Sequence, residues 1–487
     1  MQSTEHRAVD SEQVTITNIA QQLDQDDKVK VGGIDCDGVI RGKIMSKEKF
    51  LSSLEDGFGM SSAIFAWDMH DVLYTQKNSI ANEKGGHGDF IAEIDLSSYR
   101  RLPFESNIPF FLLRFKIDNV PVFADGRSIA RSTTLTLANK GMRGLAGVEL
   151  EFMNFQTPGQ DGYESLGQRP NLASFLDANA PRALRPITGG MFGYSVSRPL
   201  MTKDYFHSIY DVAKELGCPI EGWHTESGPG VYEAALAVSS SERMADNVSI
   251  FKFLTKALGV QYNVTPCFMA KPLHGMPGSS GHIHISLTDL DGTNLFARKD
   301  KDESAPFDDV AHLSDIGRQF LAGLIDALPD IMPMVAPNVN SYKRLVENFW
   351  APITLSWGLE DRESSIRVIA PPTCKPGATR FEIRIPGADL HPHYALSAIL
   401  RAGLRGIERE MNIYLPPLSQ MPGGQKPDKL PNTLELALAR FQAPNSVARE
   451  IMGNEFVDYY AITREHELRA WREAVTDWEF VRYIEHV

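Results

Sequence analysis

Three short stretches carry the same unusual pattern. Glu149-Leu150-Glu151-Phe152, His282-Ile283-His284-Ile285 and Arg380-Phe381-Glu382-Ile383-Arg384-Ile385 each alternate an ionisable residue with an apolar one. A period of two fits a strand, on which residues i and i+2 share a face, and not a helix. Each strand therefore packs its apolar face on a core. Its polar face must meet water or a compensating charge. A fourth stretch holds Glu226 and Glu233 on either side of the turn Gly228-Pro229-Gly230. Glu149, Glu151, Glu226, Glu233 and Glu382 with His282 make five carboxylates and one imidazole. On converging strands they repel one another unless cations sit between them. Oxygen-rich ligation with one imidazole suits Mg²⁺ or Mn²⁺ better than zinc. The competing reading makes each motif the solvated face of an amphipathic strand.

That reading weakens once the arginines are added. Arg344 closes Asn338-Val339-Asn340-Ser341-Tyr342-Lys343, and Arg362 and Arg367 follow in a segment otherwise rich in Ile, Leu, Val and Trp. Guanidinium groups beside apolar runs call for anions, and their planar fork fits carboxylate or phosphate. Carboxylates, metals and anion-binding arginines together are what phosphoryl transfer needs. The chain has no P-loop and no convincing dinucleotide fingerprint. The loop from Gly275 through Gly278 to Gly281 enters the His282 strand and could meet a ligand with its backbone.

With 487 residues and 43% hydrophobic content, the chain buries a large core in more than one domain. A net charge of −13 argues against nucleic acid and anionic membranes as main partners. Cys36, Cys218, Cys267 and Cys374 are far apart, which points to a reducing, cytoplasmic setting without disulfides. The polar N-terminus lacks the order of a signal peptide, and no apolar run approaches the ~20 residues that span a bilayer. Three segments are expected. Residues 1–28 form an extension with a short helix over 16–23. Residues 29–120 form a small β-rich domain, with a hairpin over 29–44 turning at Asp35-Cys36-Asp37-Gly38 and strands at 62–67 and 110–115. Residues 121–487 form a mixed domain. It opens on a turn at 121–126, with a strand over 145–152, a helix over 205–216 closed by Gly217 and a helix over 314–328. Asn432 is expected to cap a helix carrying Leu434, Leu438 and Phe441, and the last forty residues read as helical.

In order and spacing these motifs resemble the glutamine synthetase superfamily, over most of the chain from about Val29. The resemblance implies an α+β fold: a β-grasp-like N-terminal domain, then a catalytic domain with a curved antiparallel partial β-barrel flanked by helices. It implies a homo-oligomer of stacked rings, a dodecamer, with active sites shared between subunits. By position, Glu151, Glu226 and Glu233 would hold one metal, and Glu149, His282 and Glu382 a second. Glu221, His284, Ser286, Arg367, Lys375 and Arg380 would contact ATP. Gly278, Arg344 and Arg384 would hold glutamate, with Arg362 near the transferring phosphoryl group. The implied reaction phosphorylates the γ-carboxylate of glutamate and then lets an amine displace phosphate.

Three positions depart from glutamine synthetase proper, and all concern the ammonia end. Trp350 stands where those enzymes place a flap glutamate. Gly59, in a segment read as the loop 57–62, takes the place of an ammonium-binding aspartate. Pro277 precedes Gly278 where an asparagine is usual. Losing two carboxylates removes the charge that captures ammonium, and a tryptophan suits an alkyl or aryl amine. The pattern is similar to the γ-glutamyl-amine ligases of the superfamily. Ordinary glutamine synthetase, and a non-catalytic structural member, are the alternatives. Tyr414, in a partly matched adenylylation loop, lacks the acidic residue expected after it.

Overall fold

The computed structural model describes residues 14–76, 80, 87–163, 171–347, 351–422 and 425–485. Trp350 lies outside them.

The first sheet is built from β1 (Lys28–Ile34), β2 (Ile40–Ser46), β3 (Phe58–Ser61), β4 (Asp89–Leu102), β5 (Ile108–Ile117) and β6 (Val120–Pro121). β1 and β2 form the expected hairpin, with Lys28 opposite Ser46 and Ile34 opposite Ile40. Its turn is held by Asp35, whose Oδ1 accepts from the N–H groups of Asp37 (3.0 Å) and Val39 (2.9 Å). Gly38 takes the left-handed φ of +81° that this turn requires. The strand order is β2-β1-β5-β4-β3, with β1 parallel to β5 at the centre and the other pairs antiparallel, a β-grasp arrangement. β5 buries its residues on both faces from Ile108 to Leu113, as a central strand covered on both sides must.

The second sheet takes the order β13-β14-β15-β12-β7-β9-β8 from β7 (Met142–Gln156), β8 (Ile220–Thr225), β9 (Val231–Leu236), β10 (Ser239–Ser240), β11 (Val264–Cys267), β12 (Ile283–Asp289), β13 (Trp357–Leu359), β14 (Ile366–Ile369) and β15 (Arg380–Ile383). It curls into a half-barrel. β7 is its spine: β12 pairs with residues 142–148, β9 with 149–153, β10 with 145–146 and β11 with 153–156. Its even-numbered residues Ala146, Val148, Leu150 and Phe152 are buried. Phe152 packs against Phe251 of the helix Ser241–Tyr262 and against Phe268. The odd-numbered residues face the concave side. The helices Asp315–Val335 and Pro392–Glu408 cross at glycines, where a Cβ on Gly323 would meet Gly406 Cα at 2.8 Å. Arg127 ties the first sheet to the helix Ser241–Tyr262, bonding Asp246 at 2.8 Å and Asp95 of β4 at 2.6 Å.

Several expectations change. Residues 62–65 form a 3₁₀ turn rather than a strand, because Ser61 accepts from the Ala63 N–H and starts a helical turn. The segment read as a loop around Gly59 is the edge strand β3. The turn at 121–126 leads straight into an unanticipated helix, Gly126–Asn139, capped by Asp125. Thr433, not Asn432, caps the helix Leu434–Phe441, its hydroxyl accepting from the Leu436 N–H. The partial barrel is antiparallel except at one edge, where β13 runs parallel to β14. The four cysteines are free, as expected. Among the described residues no helix is long and apolar enough to cross a membrane.

Candidate active site

Sheet register converts the three period-two motifs into rows. Residues opposite one another on paired strands point to the same face. Gly147, His284, Glu382 and Arg367 form one row across β7, β12, β15 and β14. Glu151, Glu233 and His224 form another across β7, β9 and β8. Between them, the Glu149 N–H donates to the His282 carbonyl (3.0 Å), which sets Glu149 beside His282. Eight ionisable side chains thus converge on the concave face from segments up to 233 residues apart.

Two ligand-like groups result. In the first, atoms of Glu149, His282 and Glu382 lie within 4.8 Å of one another. His282 Nδ1 is 3.3 Å from Glu149 and 3.4 Å from Glu382, and His284 Nε2 is 3.1 Å from Glu149. Burial pushes the Glu149 carboxyl up, but hydrogen bonds from His282 and His284 outweigh it and hold it well below the usual carboxylate range. Glu382 is 1% exposed; burial raises its carboxyl, and His282, Arg384 and His284 together bring it below the ordinary value. Burial pushes His282 down, so its ring is the neutral form a metal accepts.

The second group is His224, Glu226 and Glu233, also within 4.8 Å. His224 Nε2 stands 3.8 Å from Glu233 Oε2. Both His224 Nε2 and Glu226 Oε2 are buried without a hydrogen-bond partner. Burial first, then the charges of Glu151, Glu149, Glu226 and Glu382, push Glu233 up to about 9. Clustered carboxylates beside ligand atoms that have no hydrogen-bond partner are an arrangement a divalent cation would satisfy. The donor set fits a divalent metal. Glu151, expected in this group, stands opposite Glu233, but its Oε2 accepts from the Ser280 N–H at 2.7 Å. Sequence reading missed His224, although its position two before Glu226 continues the period of two.

The arginines surround these groups. Arg344 is buried and donates to the carbonyls of Ile385 (3.0 Å) and Arg384 (3.2 Å), with His282 Nε2 at 3.3 Å. Burial lowers it to about 10, partly offset by Glu151. Gly278 lies so close that a Cβ there would meet Arg344 Cγ at 2.7 Å. Arg384 bonds Glu382, and its Nε is buried without a partner. Arg367 bonds Glu382 at 2.9 Å and also Glu360. Arg362 is exposed on the turn between β13 and β14, where its charge reaches Glu226 and Tyr194.

Behind the first group opens a cleft of about 430 Å³, lined by Glu221, His284, Ser286 and Arg380 among others. Arg380 Nε donates to His284 Nδ1 at 3.2 Å, which turns the Nε2 atom of that ring toward Glu149. Lys375 is exposed just before the turn Pro376–Ala378 and does not line the cleft. At the other mouth, Tyr194 lies against His224 with ring centroids 4.2 Å apart and the ring planes tilted by 35°. Its N–H donates to the Thr225 carbonyl (2.7 Å), and its ring is 72% exposed. Its φ of +54° is strained for a bulky residue, a conformation that persists where the surroundings impose it.

Residues 123–483 match the family model described as the glutamine synthetase catalytic domain. The chain belongs to the glutamine synthetase family. It is 36% identical over 463 residues to type-1 glutamine synthetase 2 of Dictyostelium discoideum, covering 94% of this chain and 83% of that protein. It is 30% identical over 465 residues to a glutamate–isopropylamine ligase of a Pseudomonas species, covering 94% and 95%. A solved structure described as a GmaS/ADP complex has the same fold, with a TM-score of 0.77 at 22% identity over 97% of this chain and 99% of that one. Glutamine synthetases are ligases that form carbon–nitrogen bonds; they generally use ATP and divalent metals and assemble as stacked rings.

Proposed function

We propose that this glutamine synthetase family member is an ATP-dependent ligase joining glutamate to an amine larger than ammonia through a γ-glutamyl phosphate. The carrying observation is the cage itself: two carboxylate–imidazole groups on one concave face, ringed by Arg344, Arg362, Arg367 and Arg384. Glu149, His282 and Glu382 would hold one metal; His224, Glu226 and Glu233, with Glu151 beside them, would hold the other. A divalent cation there would neutralise charge on the phosphates of ATP. Glu221, His284, Ser286 and Arg380 would take the nucleotide, joined by Arg367 and Lys375. Gly278, Arg344 and Arg384 would orient glutamate, and Arg362 would meet the charge that develops on the transferring phosphoryl group. Residues 29–120 and 121–487 are the proposed domains, and a dodecamer of stacked rings the proposed assembly.

The larger amine is supported by the isopropylamine-using relative and by the exposed ring of Tyr194 beside the second group. Trp350 is the residue proposed to complete the amine pocket. A panel of ammonia, alkyl, aryl and polyamine acceptors with ATP, Mg²⁺ and glutamate, read by phosphate release, tests the reading. Ammonia as the best acceptor by a wide margin would overturn it. That second reading, glutamine synthesis, draws support from the Dictyostelium relative and from Asp89, whose carboxylate occupies the space a side chain on Gly59 would need.

A further inference from the structure

A cavity of about 470 Å³ lies away from the catalytic cleft, between the β1–β2 turn and the helix Ser241–Tyr262. Its walls are mostly apolar: Val39, Ile40, Phe253, Phe268 and Leu390 line it. Into this setting the helix sends two lysines one turn apart, Lys252 and Lys256. Lys252 Nζ donates to the Leu390 carbonyl at 3.0 Å, and no second acceptor meets it among the described residues. Burial pushes its ammonium down to about 7, with Asp389 only partly offsetting. The acids of the wall are already engaged. Asp37 pairs with Arg464, and Asp389 Oδ2 accepts from Asn338 Nδ2 (2.8 Å) and the Ser341 hydroxyl (2.7 Å). Lys252 and Lys256 therefore outnumber the one lining carboxylate not already paired with an arginine, Asp389, and the cavity carries an excess of positive charge beside apolar walls.

The same wall touches the catalytic apparatus. Asn338 and Asp389 fix the start of the turn Ser341–Arg344, whose last residue lies against His282. Asn340, also on the wall, bonds both the N–H and the carbonyl of Lys271. We propose that this cavity is a second ligand site, for a small molecule with one anionic head and an apolar body. Lys252 and Lys256 would hold the head, and occupancy would be communicated through Asn338 and Asp389 to Arg344. The size suits such a molecule.

The amphiphilic anion 8-anilinonaphthalene-1-sulfonate serves as probe on the full-length protein. Fluorescence titration is expected to show one saturable site per chain, unaffected by saturating ATP and Mg²⁺. The double variant Lys252→Met/Lys256→Met should bind at least tenfold more weakly. Met269→Trp, which blocks the mouth from a half-exposed position, should do the same without disturbing the helix. Unchanged affinity in both variants, or displacement by ATP, overturns the site. Saturating probe should also shift the KM for glutamate at least threefold in the parent protein and leave it unmoved in the double variant; equal shifts in both overturn the coupling. The binding arm needs no turnover. Binding that persists in a protein inactive with every amine would count against the proposed reaction and not against the site.

Discussion

Glu233 offers the sharpest quantitative test of the cage. Without a cation its carboxyl is pushed to about 9, so at pH 7 it is protonated. A bound divalent metal needs the ionised form, so binding must expel that proton. Two units separate pH 7 from about 9, and each is worth ~1.4 kcal/mol, giving a penalty of ~2.7 kcal/mol, or about a hundredfold in metal affinity. Glu149 contributes nothing to this effect, since its neighbours keep it ionised throughout. Calorimetric titration with Mn²⁺ at pH 6.5, 7.5 and 8.5, in two buffers of different ionisation enthalpy, reads both quantities. We expect about one proton released per chain at pH 7.5 and roughly tenfold tighter binding per pH unit. Glu233→Gln should abolish the proton release while weakening binding. A flat affinity with no proton release would refute the reasoning. The linkage also fixes a stability trend. The raised carboxyl favours the metal-free native state below about pH 4.5, and that advantage is lost as pH rises toward about 9. Chemical denaturation of the metal-free protein should therefore show stability falling across this window, and Mn²⁺ should reverse the fall.

Gly278→Ala puts a methyl group against Arg344 and the Ala270 carbonyl, so the KM for glutamate should rise tenfold or more while Mn²⁺ affinity, measured in parallel, stays put. Arg344→Lys keeps a charge but cannot reach both the Arg384 and Ile385 carbonyls; a stability loss of ~1–3 kcal/mol by denaturant titration is expected, with weaker glutamate use. Tyr194→Ala removes the ring lying against His224 and should lower kcat/KM for a bulky amine relative to ammonia by about tenfold, ~1.4 kcal/mol of discrimination. Trp350→Glu should move the same ratio the same way, and an unchanged ratio would exclude Trp350 from the acceptor pocket.

The polar rows were legible because a strand's period of two is short and local. Glu149, His282, Glu382 and Arg384 could be assigned to one face from spacing alone. What joined them was register, which depends on pairings such as Gly147 with His284 and His284 with Glu382, 137 and 98 residues apart, that no local pattern encodes. His224 escaped notice because Trp223 and Thr225 flank it, so the strand lacks the clear apolar alternation of the other motifs. Tyr194 had no signal at all, since its place over His224 follows from a strained backbone held by Thr225. In the first sheet, hairpin chemistry at Asp35 and Gly38 was readable, while residues 62–65 went astray because the capping hydroxyl of Ser61 outcompeted their β-like composition.

β7 has a consequence for the order of folding. Its carboxylates meet their partners only after β9, β12 and β15 have docked, the last drawn from more than 220 residues downstream. Closing such long loops is slow, and the final docking step brings like charges together. A divalent cation binding the finished cage, and not the unfolded chain, would pull that step forward by mass action. The ion that serves the proposed reaction would then also act as the latch on the sheet that holds it.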